Sequence, residues 1–274
     1  MKFLLVLPFL AALASVNIAF ERNQRIIGSE LATSGQFPYA VGIITQINPL
    51  FNGRCSGSLL STSYILTSAA CLMGIVSAVA VLGALRINDP TEPETLRVTV
   101  RQFIRHSGYE LDGENFDIAL IVLPSAITFT DKIQPIRLPN RQKTEDALVG
   151  QQGTFVGWGE FGEGNVLSPD LRFGRAPVIT NMACTVSLPT RTILDEHICT
   201  SGFNDTDSQS SPCRGDSGAP LTVLGEDGIP TQIGLFTFHS SFGCITRLPA
   251  VFTRLSSYLD WIEENSDVEV GAGF

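Results

Sequence analysis

Histidine is scarce in this chain: three residues, His106, His197 and His239, stand singly among 274. No Cys-x-x-Cys pair occurs either, so the close-set nitrogen and sulfur ligands of a structural zinc site are missing and no metal is expected. Charge is sparse at 16%, and the 18 basic residues are outnumbered by 27 acidic ones, a formal net charge of -9. Nucleic acids and anionic lipid surfaces repel such a protein, which excludes both as partners. Repeats and low-complexity linkers are absent. One pattern imitates a cofactor motif: Gly157, Gly159 and Gly162 spell Gly-x-Gly-x-x-Gly. A dinucleotide site needs a strand, a helix and a second parallel strand around that pattern. Acidic residues and more glycines follow here instead, so the segment reads as a loop and no cofactor is expected.

Hydrophobic residues make up 44% of the chain, ample for a large buried core. Met1 to Ala14 begins with a Lys and an apolar run and ends Ala12-Leu13-Ala14, which reads as a secretory signal peptide cut after Ala14 or as late as Ala19. The run is shorter than the ~20 residues of a membrane span. Residues Tyr64 to Leu85 carry no charge and would pass a hydropathy window. Thr67, Ser68, Gly74, Ser77 and Gly83 interrupt them, so they read as two buried strands with a loop. Short runs rich in Val, Ile, Phe and Thr recur between turn residues: Tyr39 to Ile44, Cys55 to Leu60, Val79 to Leu85, Phe116 to Leu123 and Gly153 to Gly157. They predict an all-β protein. One helix is expected near the end, capped by Ser256 or Ser257, with Tyr258, Trp261 and Ile262 on one face. Six cysteines in a secreted chain predict three disulfides, and counting leaves all 15 pairings open. Asn204-Asp205-Thr206 is a glycan acceptor motif.

Four segments, in order, resemble the chymotrypsin-like serine-protease family: Arg25-Ile26-Ile27-Gly28, Leu66 to Cys71, Phe116 to Leu120, and Cys213-Arg214-Gly215-Asp216-Ser217-Gly218-Ala219-Pro220. The likeness runs from Ile26 to the helix around Trp261. It implies two six-stranded antiparallel β-barrels packed together with the active cleft between them, and a C-terminal helix. The implied organisation is a signal peptide at 1–14, a short pro-segment at 15–25, a protease-like domain at 26–265 with the barrel boundary near 135–150, and a tail at 266–274. The implied disulfides are Cys55–Cys71, Cys184–Cys199 and Cys213–Cys244.

By the same resemblance Asp117 matches the aspartate of the catalytic triad and Ser217 its nucleophile, while the N–H groups of Gly215 and Ser217 match the oxyanion hole. The position before Cys71, where the family has its histidine, is Ala70. A methyl group accepts no proton, and loss of that histidine costs roughly 10⁶-fold in turnover in a related triad. His106 falls in a segment the family uses as a surface loop, and His197 beside Cys199 is placed away from the cleft. His239 falls on the cleft strand Leu235 to Ser240. Ser211 stands at the base of the specificity pocket, and His239 and Ala250 replace two pocket glycines, which implies a narrowed pocket without a carboxylate. Arg25, Ile26 and Asp216 match the activation switch: cutting by a trypsin-like protease frees the Ile26 amine, which pairs with Asp216. The expectation is therefore a secreted, catalytically inactive homologue, not an enzyme, that binds or regulates a protease, an inhibitor, or a host or microbial surface protein. The alternative is a weakly active serine endopeptidase with a non-standard base and a chymotrypsin- or elastase-like preference.

Overall fold

A computed structural model of the chain describes residues 29–48, 51–110, 115–141, 145–160, 166–204, 206, 208–244 and 246–270. The leader, the pro-segment with Arg25 and Ile26, Asp205 of the glycan motif and the last four residues of the tail lie outside the described residues. In chain order the first elements are β1 (Glu30–Leu31), β2 (Ala40–Asn48), β3 (Phe51–Leu59), β4 (Tyr64–Thr67), β5 (Ser77–Leu82), β6 (Leu96–Val100), β7 (Gln102–Arg105) and β8 (Ala119–Val122). They are followed by α1 (Glu145–Leu148), β9 (Gln152–Gly157), β10 (Arg172–Ile179), α2 (Asn181–Ser187), β11 (His197–Thr200), β12 (Pro220–Leu224), β13 (Pro230–His239), β14 (Ala250–Arg254) and α3 (Leu259–Asn265).

The strands form two antiparallel sheets. One runs β10-β11-β14-β13-β12-β9 and closes through β9–β10 pairing into a six-stranded barrel, with β1 added outside on β10. The other runs β6-β5-β2-β3-β4-β8-β7 and curls into a half-barrel. Its edge strands β6 and β7 are consecutive stretches of chain on either side of Arg101, so six segments go round and the seam is a backbone corner where strand pairing was expected to close the sheet.

Both faces of the curled sheet are covered, which explains why its strands are near-continuous apolar runs and show no strict alternation. Val41, Ile43, Leu59, Ile65, Ala80, Leu82 and Ile121 fill its interior. Ala40, Leu66, Val81 and Leu120 point the other way and meet Trp158, Phe173, Leu235, Leu255 and Ile262 across the junction with the closed barrel. Trp158 is fully buried there, and its Nε1–H donates to the Leu85 carbonyl at 2.9 Å, so the largest side chain of the junction is also hydrogen-bonded. Phe155, Val178, Ile198, Leu221, Ile233, Phe236 and Phe252 fill the closed barrel. The uncharged run from Tyr64 forms β4, a 3-10 turn over Ala70–Leu72, a loop and β5. No helix among the described residues is long and apolar enough to cross a membrane.

Two helical details differ from the sequence reading. The terminal helix takes no cap from Ser256 or Ser257: those residues lie in a 3-10 turn, Tyr258 is the cap residue, and its carbonyl accepts the Ile262 N–H at 3.0 Å. Helix α2 was not anticipated. Of its seven residues only Cys184 is buried, so it carries no apolar stripe for the eye to find. Its signal was Thr180, whose hydroxyl accepts the Ala183 N–H at 3.1 Å.

Candidate active site

The nucleophile loop runs from Cys213 into β12 and is tied to both sheets. The Ser217 carbonyl accepts the Ser56 N–H from β3 at 3.0 Å, and the Cys71 sulfur lies 3.2 Å from the same oxygen. Gly218 N–H donates to the Phe236 carbonyl of β13 at 2.8 Å, and Ala219 N–H to the Asp216 carbonyl at 2.7 Å. Moving Ser217 therefore means breaking contacts to both halves of the molecule. Gly215 takes φ +91°, a left-handed conformation, and a Cβ there would meet the Leu167 side chain at 2.6 Å. Only glycine takes this conformation here without strain.

Asp216 lies behind this loop, 5% exposed. Its Oδ1 accepts the Gly159 N–H at 2.7 Å and its Oδ2 the Cys213 N–H at 3.1 Å. Burial pushes its carboxyl up to about 6; the Cys213 and Gly159 amides and the Arg54 charge pull it down, and Glu160 adds to the rise. The Gly157 and Gly159 pattern finds its explanation here. A Cβ at Gly157 would stand 2.2 Å from Asp216 Oδ1, and one at Gly159 would stand 2.4 Å from Asp216 Cγ. The glycines make room for a carboxylate of this chain, not for a nucleotide. A narrow cavity lined by Ser29, Phe155, Gly157 and Ser211 adjoins Asp216.

Asp117 opens the second half of the site. It is 2% exposed. Oδ1 accepts the Ala70 N–H at 2.8 Å, Oδ2 accepts the Thr237 hydroxyl at 2.6 Å, and the Asp117 carbonyl accepts the Thr253 hydroxyl at 3.0 Å. Burial raises its carboxyl above the ordinary range, while Thr237 and the amides of Ala70 and Ala69 oppose the rise. The preceding residue, Phe116, has φ +56°, a strained conformation for an aromatic residue, costing about 1–2 kcal/mol. His106 lies flat on the Phe116 ring, centroids 4.6 Å apart, with Tyr258 and Trp261 around the imidazole. That packing holds the turn that aims Asp117 inward. Ala70 itself is exposed, one residue before Cys71, so the triad positions Ala70, Asp117 and Ser217 are brought together.

The three imidazoles are all engaged elsewhere. Among the described residues the hydrogen bonds to the Asp117 carboxyl come from Thr237, Ala70 and Ala69. His106 Nδ1 accepts the Gly108 N–H at 3.1 Å. His197, placed away from the cleft on sequence grounds, is buried and stands edge-on to Phe238 with centroids 5.6 Å apart, its Nδ1 accepting the Leu194 N–H at 3.1 Å. The reason is register: His197 pairs with Thr253 and Phe238 with Val251, which brings both rings to one face of the barrel. His239 is half-buried, with Nδ1 2.8 Å from the Ser240 carbonyl and its ring stacked on Phe236 at 6.3 Å.

Of the expected pocket residues, His239 and Ala250 are brought together as partners across β13 and β14. Ser211 is buried and its hydroxyl donates to the Pro212 carbonyl at 3.0 Å. Ala250 is fully buried among Phe236 and Phe252. Sequence reasoning missed Phe236, whose ring sits between His239 and Phe252 and whose carbonyl holds the residue after the nucleophile. The disulfides join Cys55 to Cys71, Cys184 to Cys199 and Cys213 to Cys244. Among the described residues one group brings three possible metal-ligand atoms within 4.8 Å of one another, Cys213, His239 and Cys244, and both sulfurs are spent in the disulfide. Asn204 sits in a tight turn where its Oδ1 accepts the Thr206 and Ser208 N–H groups at 3.1 and 3.0 Å.

Comparison with known proteins places these features in context. The family model described as Trypsin matches residues 26–262. A protein named collagenase from Hypoderma lineatum is 36% identical over 276 residues, covering 98% of this chain and 99% of its own. Chymotrypsin-C of Mus musculus is 30% identical, with 88% and 89% covered. The solved structure of HL collagenase superposes with a TM-score of 0.75 at 32% identity, covering 89% of this chain and all of that one. These likenesses correct the expectation of a non-enzyme. Relatives over nearly the whole length carry the names of peptidases, and the nucleophile loop, the left-handed glycine and the buried aspartate are built here in full.

Proposed function

Since the chain belongs to the trypsin family of serine proteases, we propose that it is a secreted serine endopeptidase of low intrinsic turnover whose proton acceptor is not the family's histidine. One observation carries the reading: the Ser217 loop and the Asp117 carboxylate are both held in place, and what meets Asp117 Oδ1 is the Ala70 backbone N–H, not an imidazole. Ser217 Oγ adds to the scissile carbonyl carbon, and the N–H groups of Gly215 and Ser217 receive the oxygen as it becomes negative. A single such donor is worth about 10²–10³ in kcat in a related enzyme, so this half of the machinery accelerates acylation without a histidine. Hydrolysis resting on the oxyanion hole and substrate binding alone runs ~10³–10⁴-fold above water, which sets the expected scale.

The leader at 1–14 and three disulfides support secretion into an oxidising compartment. A trypsin-like protease cutting after Arg25 frees the Ile26 ammonium to enter the cavity beside Asp216 and neutralise it. Ser211 offers no charge for a Lys or Arg side chain, so the preference is for uncharged residues, chymotrypsin- or elastase-like. Asn204 is the proposed glycan acceptor, and the Hypoderma lineatum relative suggests protein substrates. The test is hydrolysis of a mixed peptide library by protein cut after Arg25, with Ser217→Ala beside it. Products that disappear in Ser217→Ala establish the reading; identical traces refute it.

A further inference from the structure

Asp117 is a buried carboxylate beside Ala70, and no imidazole is among its hydrogen-bond partners in the described residues. Ala70 N–H and the Thr237 hydroxyl take one bond at each oxygen, and a carboxylate has roughly four lone-pair sites. Above it Ala70 is exposed and contributes only a methyl, while Ser217 is half-buried on the neighbouring loop. The chain's own imidazoles are committed: His106 to Phe116 and Gly108, His197 to Phe238 and Leu194, His239 to Phe236 and Ser240. The site therefore holds an orienting acid and a nucleophile, with only the exposed methyl of Ala70 where a ring would stand.

We propose that the substrate brings the base: the chain cleaves peptides carrying a histidine within two residues of the cut bond, whose imidazole enters beside Ala70. The proposal rests on the endopeptidase reading above and names its substrate class. The imidazole donates one N–H to Asp117 and accepts the Ser217 proton at its other nitrogen as the Oγ–C bond forms. The imidazolium then returns that proton to the leaving amine as the C–N bond breaks, so proton and electron pairs balance with no further reactant. An imidazolium beside a desolvated carboxylate is favoured by their charge attraction, which burial strengthens.

The side on which the histidine lies has a kinetic consequence. A histidine on the acyl side stays in the cleft after the amine departs and can take a proton from the water that hydrolyses the acyl-enzyme. One on the leaving side departs with the amine. It gives one fast acylation per site and then a stalled ester, seen as a burst.

The experiment scans paired peptides, identical except for His or Gln at each of the four positions flanking the cut, with protein cleaved after Arg25. At the productive acyl-side position, His peptides should exceed their Gln partners by about 100-fold or more in kcat/KM, the scale of general-base catalysis. Leaving-side His peptides should give a burst and a covalent adduct at Ser217 visible by mass. The advantage should vanish in Ala70→His, which fills the space, and shrink in Asp117→Asn. Ser217-dependent hydrolysis with His and Gln peptides within about threefold at every position overturns this proposal and leaves the endopeptidase reading standing. No Ser217-dependent product from any peptide, His peptides included, overturns both.

Discussion

Asp216 can be interrogated by pH before any substrate is known. In the uncleaved chain its carboxyl titrates near pH 6, against an ordinary value of 3.8, because burial outweighs the two amide donors and Arg54. The folded state thus binds this proton more tightly than the unfolded chain does. The group's contribution to stability is fully present below pH 3.8 and is lost as pH rises through about 6. A shift of roughly two units corresponds to about 3 kcal/mol. Replacing Asp216 with Asn removes the titration, at the cost of one acceptor for the Gly159 or Cys213 N–H, an offset that does not vary with pH. Urea unfolding of both proteins at pH 4, 5, 6 and 7 should therefore show the wild type losing about 2.4 kcal/mol relative to Asp216→Asn across the series, the part of the effect that falls in this window. Cleavage after Arg25 should reverse the slope, because an ammonium partner drives the carboxyl pKa down. A difference that stays flat within about 0.5 kcal/mol in the uncleaved protein would show that Asp216 is already neutralised, and the argument for a switch would fall.

Three further outcomes follow from the same geometry. Ala70→His should raise kcat/KM on peptides lacking histidine by about 10²–10⁴-fold in a steady-state assay, since Asp117 and Ser217 are in place to use the ring. Gly215→Ala should lower activity on His peptides by about 10²–10³-fold, because a Cβ at φ +91° against Leu167 turns the oxyanion N–H away; a near-normal rate would mean that this N–H is not used. Trp158→Ala should destabilise the fold by about 3–5 kcal/mol in urea unfolding, with loss of the Leu85 hydrogen bond on top of the cavity.

Much of this was legible in the chain itself. Apolar runs bounded by turn residues marked the strands, and the segment around Ser217 marked the proposed nucleophile, because those signals are local. What escaped notice depended on distant partners. Gly157 and Gly159 read as an empty nucleotide motif because their reason, Asp216, lies 57 residues or more away. The packing of His197 on Phe238 was hidden for the same reason, since strand register sets it. Phe236 looked like any core aromatic, and only the fold shows its ring lying parallel to His239. The largest correction came from the weight given to Ala70. One missing side chain removes a base from the protein, but it does not remove the chemistry that a base in the right place can drive.

The corner at Arg101 has a consequence for handling the protein. β6 is paired to β5 and β7 to β8, and the one residue that joins them is an exposed arginine. The protease invoked to cut after Arg25 recognises the same side chain. One nick there would turn a covalent seam into two edge strands, each still paired on one side and open to another molecule on the other. Over-digestion during activation should thus appear first as a two-fragment species split at residue 101, and then as aggregate.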